Sequence, residues 1–198
     1  MYPQIFRLAL LMVAFVMASG RLLVAQGTMP LPLSHPPEDT KSLDVRELVS
    51  KYCRLDYEGA RLDDQGWAKV QPLVEWKTNP DYVEIDVIAR YMVDSEPTEN
   101  HGKFNVTVHY RLLGTYNLVS GYVPEPPNTQ QNVDYTVLDT KGDLRIIDSE
   151  NSLPHPSRAY MLKWLNQKLN AAQDDLAKRR YQEALRLLTA QPASPIAK

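Results

Sequence analysis

Two segments in the middle of this chain alternate apolar and polar residues with a period of two. That pattern constrains the fold more than any other feature. In DYVEIDVIARYMV (residues 81–93) one parity is Val83, Ile85, Val87, Ala89, Tyr91 and Val93. In KFNVTVHYRLL (residues 103–113) the corresponding set is Phe104, Val106, Val108, Tyr110 and Leu112. Such alternation is the signature of strands with one buried face. SEPTENHG between them reads as a turn, and Gly114 as the end of the second strand. TYNLVSGYV (115–123) reads as a third strand with Gly121 as a bulge. VDYTVLDTKGDLRIID (133–148) reads as a hairpin tipped by Lys141-Gly142. About five antiparallel strands are expected.

Helical periodicity flanks this block. Val45, Leu48, Val49, Tyr52 and Leu55 recur at helix spacing, with Ser42 or Asp44 able to cap the start and Gly59 able to end the helix. A second, short helix over 64–71 takes Asp63 or Asp64 as cap and breaks at Pro72. After Pro154 and Pro156, residues 157–189 carry a helical pattern from Tyr160 to Leu188, with Asp174/Lys178 and Asp175/Arg179 as spaced ion pairs. The apolar density is highest before Leu169. That part should dock, and the remainder is free to project or meet a partner.

The N-terminus has a positive Arg7, an apolar run Leu8–Ala18 and small residues after it, as a secretory signal does. Cleavage is expected after Ala25, and an uncleaved anchor is the alternative. The apolar run is short for a span, which needs about 20 residues. Residues 26–41 are proline-rich and read as a linker. The expected organisation is a signal over 1–25, the linker, an α+β domain over 42–155, one or two helices over 156–190, and a tail over 191–198. Without residues 1–25 the formal net charge goes from −2 to −4, since only Arg7 and Arg21 are lost. A mildly acidic chain offers no footprint for nucleic acid or an anionic membrane surface. Cys53 is the single cysteine, so an exported chain has no internal disulfide. Its thiol reads as a small buried hydrophobe, with an intermolecular bridge or a nucleophile as alternatives.

The order of helices and strands over 43–153, with GARLDDQGWAKVQPLVEW running into YVEIDVIARYMV, resembles the nuclear transport factor 2-like superfamily and a group of exported bacterial domains within it. That resemblance implies a cone-shaped cavity between the first helix and the concave sheet face, and frequent homodimers through the sheet. The helix usual before the second strand of that fold has no counterpart here. The resemblance implies no single chemistry. Enzymes of the superfamily use an inward aspartate base, whereas the acids on the inward parity here, Asp139 and Asp148, lie at strand ends beside a turn and none sits in mid-strand.

Candidate site residues follow from parity and position. Tyr91, Tyr110 and Tyr135 face inward and can line a ligand pocket or pack as core. Of the two tryptophans beside Pro72, Trp67 is expected as a core anchor and Trp76 as a pocket lip. His109 belongs to the polar face with Thr107 and Arg111, and with Glu84, Asp86 and Arg90 on the neighbouring strand. That face reads as solvated or dimer-facing, and a His–Asp pair there is the acid–base alternative. His101 and His155 fall in loops. No spacing forms a metal set, and no motif calls for a cofactor. The expected function is an exported, non-catalytic domain, periplasmic or extracellular, binding a small apolar ligand or a protein partner, with no membrane in the mature form. A small isomerase or lyase acting in the cavity is one alternative. An envelope accessory protein working through its C-terminal helix is another.

Overall fold

The computed structural model describes residues 40–149 and 153–191. The expected signal, nearly all of the linker and most of the tail lie outside the described residues. The chain forms α1 (Thr40–Tyr57), α2 (Asp64–Val70), β1 (Glu84–Val93), β2 (Thr98–Asn100), β3 (Lys103–Asn117), β4 (Gly121–Pro124), β5 (Gln130–Thr140), β6 (Asp143–Ser149), α3 (Arg158–Ala171) and α4 (Asp175–Ala190). The fold is α+β, with one antiparallel sheet of six strands in the order β1-β3-β5-β6. β3 is its spine. β1 runs along one side of β3, with β2 pairing Lys103–Asn105 on the same strand, while β5 and then β4 pair successive parts of β3.

The caps follow side-chain chemistry. Asp63 accepts the Gly66 amide at 2.6 Å, Ser157 the Tyr160 amide at 3.2 Å, and Asp174 the Ala177 amide at 2.7 Å. Gly59, at φ 81, follows α1 in the left-handed conformation that glycine adopts without strain. Pro72 lies in a 3-10 turn, Gln71–Leu73, that closes α2. Because Asp174 caps α4, it does not pair with Lys178. Lys178 instead meets Asp175 at 3.7 Å, and Arg179 donates to the Asp175 carbonyl.

Three expectations for the sheet change. Residues 98–103 form a hairpin, with His101 and Gly102 both at positive φ, where a plain turn was expected. β3 passes through Gly114 to Asn117. The turn comes at 118–120, where Asn117 Oδ1 accepts the amides of Val119 and Ser120 at 2.8 and 2.9 Å. Gly114 is needed for approach, since a Cβ there would collide with the Val123 carbonyl and the Tyr122 ring. Finally, β1 keeps no single parity. Register shifts flank Ile88, and Val87 joins one apolar cluster while its neighbour Ile88 joins the other. Successive strand residues point to opposite faces, so the sheet is buried on both faces there.

The first cluster joins α1, α2 and the sheet through Val45, Val49, Tyr52, Cys53, Val70, Val106, Val108, Tyr110, Val133, Tyr135 and Ile146. The second joins Ile85, Val87, Tyr116 and Tyr122 to Met161, Trp164 and Leu165 of α3 and Ala184 and Leu188 of α4. α4 therefore docks rather than projects. Gln191 Nε2 donates to the Leu113 carbonyl at 2.6 Å, Arg158 Nη2 donates to the Thr189 carbonyl at 2.9 Å, and Leu188 is fully buried. Burying these side chains against β3 and β4 supplies the driving force, at about 1.5–3 kcal/mol for each large apolar residue. The C-terminal helices are part of the domain, not an addition to it. Among the described residues, no helix is long and apolar enough to cross a membrane.

Candidate functional site

α1 carries an acid on its apolar stripe. Asp56 sits four residues after Tyr52 and three after Cys53, so it faces the sheet with them. It is 1% exposed. Its Oδ2 accepts the His155 backbone N–H at 3.0 Å and faces the His155 Nδ1 at 3.3 Å. His155 is equally buried, and its ring stacks on Tyr110 with centroids 4.0 Å apart and planes within 7°. The Tyr110 hydroxyl lies 2.7 Å from that of Tyr135 and 3.4 Å from Cys53 Sγ. Arg61 completes the cluster, donating to the Tyr52 hydroxyl at 3.3 Å and the Leu153 carbonyl at 3.0 Å.

Burial pushes the Cys53 thiol up to about 12 and holds the Tyr52, Tyr110 and Tyr135 hydroxyls well above the ordinary phenol range. These groups are held neutral. A general acid or base must lie within hydrogen-bond reach of a reacting atom, and side chains this deeply buried do not reach one. What the cluster does is fasten the segment Leu153–Ser157. The amides of Asp86 and Ile88 donate to the Pro154 and Pro156 carbonyls at 3.0 and 3.1 Å, and the Ser157 amide donates to the Tyr57 carbonyl at 2.8 Å. The two prolines lack amide hydrogens, so this strap offers only carbonyls along the β1 edge. It ties the end of α1 to β1 and sets the start of α3.

An open groove of about 590 Å³ lies along the outer side of α1. Its apolar lining is Leu48, Leu73, Tyr91 and Leu144, and its rim is Asp44, Glu47, Lys51 and Arg54. The α1 members recur at helix spacing, so one stripe of the helix forms a wall. The Tyr57 ring lies 5.7 Å from that of Tyr91 and braces it.

The four expected site residues separate. Tyr91 lines this groove. Tyr110 and Tyr135 are 1% exposed, and their hydroxyls are spent on each other. The interior between α1 and the sheet is packed with tyrosine, where the resemblance implied a cavity. Trp76 is half-buried against the first cluster, as is Trp67. Trp76 does not line this groove, and its Nε1 is buried with no hydrogen-bond partner among the described residues. The two rings thus play similar packing parts on the rim of one core, because the turn at Pro72 keeps Trp76 against it.

His109 does face the polar side of the sheet, but its acid is Asp94, 2.9 Å from Nε2, with Asn132 Oδ1 2.8 Å from Nδ1. Asp86 is buried and takes the Thr115 hydroxyl, while Glu84 takes the Asn117 amide. The bulges around Ile88 carry both acids away from the His109 row. No group of three metal-ligating side chains occurs among the described residues. Sequence reasoning missed Asp56, Arg61 and His155. The acid on the apolar stripe of α1 was a usable signal for the first. His155, between two prolines, gave none. No family model, no curated protein and no solved structure matches this chain.

Proposed function

We propose that this domain is a non-catalytic binding module that holds a small, largely apolar ligand in the groove along α1. The observation that carries this reading is the groove itself. Its volume of about 590 Å³ falls within the range of about 300–1,000 Å³ usual for small-molecule sites. Its apolar floor is Leu48, Leu73, Tyr91 and Leu144. Lys51 and Arg54 at one end of the α1 stripe, and Asp44 and Glu47 at the other, suit a ligand with an apolar body and a polar end. The acid–base groups of the core are buried behind α1, which favours binding over chemistry. The N-terminal sequence supports an exported setting.

Native mass spectrometry of the purified protein, followed by titration with anilinonaphthalene sulfonate, tests the reading. The expected result is one saturable site that is lost in Leu48→Gln and in Leu144→Gln while the denaturation midpoint holds. Probe binding unchanged in both variants would overturn it.

A further inference from the structure

The sheet face opposite the first cluster is covered by α3 and α4 at one end only. At its open end, β1 and β3 place Arg90 directly across from Arg111. Gln130 is the β5 partner of Arg111, and His109 lies two pairs further along, opposite Met92. Like charges at opposed strand positions repel, because their Cβ atoms sit only about 5 Å apart. Arg111 gives one nitrogen to the Asn128 side chain. The Arg90 side chain makes no hydrogen bond or ion pair with any described residue, and it is exposed. The acids on this face are already engaged: Asp94 with His109, and Asp134 with the Thr107 hydroxyl at 2.6 Å. Arg90, Met92, His109, Arg111 and Gln130 surround a cleft of about 320 Å³. Its floor is the backbone at Tyr91 and Tyr110, whose rings point to the other face.

We propose that Arg90 and Arg111 form a binding site for the oxyanion of a small ligand, a phosphate or a carboxylate, on the opposite sheet face from the α1 groove. Two guanidinium forks facing one cleft match the planar, bidentate geometry that such oxygens accept. An anion between them turns the repulsion into attraction. The hydrogen bonds that the His109 ring donates to Asn132 Oδ1 and Asp94 Oδ1 raise its pKa and favour its protonated form beside the two forks, with both ring nitrogens already taken. This site does not depend on the reading given to the α1 groove.

The test is a titration of the full protein with inorganic phosphate and, separately, with acetate, at ionic strength held constant with sodium chloride. Backbone amide resonances are followed, and thermal unfolding is measured in parallel. Saturable shifts at residues 90–92, 109–111 and 130 are expected. In Arg90→Gln the affinity should fall about tenfold or more, the loss of one charge-assisted hydrogen bond. The same variant should be more thermally stable than the wild type in chloride alone, and should gain less from the anion. Preference for phosphate or for acetate identifies the ligand class. Shifts that never saturate, saturable shifts unchanged in Arg90→Gln, or shifts that follow protein dilution instead of anion would each overturn the proposal. The last would make this face a contact between copies of the chain.

Discussion

One carboxylate oxygen, Asp56 Oδ2, meets both the backbone N–H and the ring Nδ1 of His155, 99 residues further along the chain, at 3.0 and 3.3 Å. The contact joins α1 to the strap that leads into α3. Asp56→Ala leaves the His155 donors buried without an acceptor. It should cost about 3 kcal/mol or more in urea denaturation. Asp56→Asn should cost less, because its amide oxygen still accepts the His155 backbone N–H. Hydrogen exchange should quicken at 155–157 and the first turn of α3 in both variants. A midpoint for Asp56→Ala within about half a kcal/mol of wild type would show that the strap is held elsewhere.

Cys53 gives the core a pH limit. Burial raises its pKa to about 12 in the folded chain, against about 8.5 for an exposed thiol. A raised pKa favours the neutral form in the fold. This stability is therefore fully present below about pH 8.5 and is lost as the pH climbs from there toward the folded value. Tyr52, Tyr110 and Tyr135 add to the loss from about pH 10 upward, in the same direction. The urea midpoint should decline from about pH 9 in wild type. In Cys53→Ala the decline should start later, in the phenol range. Alkylation by iodoacetamide at neutral pH should follow the unfolded fraction. A fast native reaction would contradict the sealed core.

Leu188 tests whether α4 belongs to the domain. It is fully buried beside Ala184 in the cluster with Tyr116 and Tyr122. Leu188→Ala should cost about 2–5 kcal/mol, as cavity formation does in a closed core. Ending the chain at Ala171 should uncover part of that cluster and yield an aggregating product, visible by light scattering. If Leu188→Ala is neutral, α4 docks only loosely and stays available to a partner.

The sequence alone determined what depends on local order. Period-two alternation fixed β3 and β5, whose inward residues Phe104, Val106, Val108, Tyr110, Val133, Tyr135 and Val137 are each at most 1% exposed. A short polar side chain fixed the cap at Asp63, and glycine the Lys141-Gly142 hairpin tip. The α+β class and the first helix followed from the same periods. Tertiary structure decided everything that pairs residues distant in sequence. The bulges around Ile88 arise where α3 and α4 cover the second face, so β1 could not be read as a strand with one dry side. Asn117, not Gly114, sets the β3–β4 turn, because Gly114 is occupied with the close approach of Tyr122 and Val123. His155 looked like a loop residue, and only the approach of Asp56 makes it core. Tyr91, Tyr110 and Tyr135 share one face by sequence. Yet the packing of α1 and the strap leaves Tyr91 at a groove and seals the other two, because each buried hydroxyl needs a partner that only the folded chain supplies.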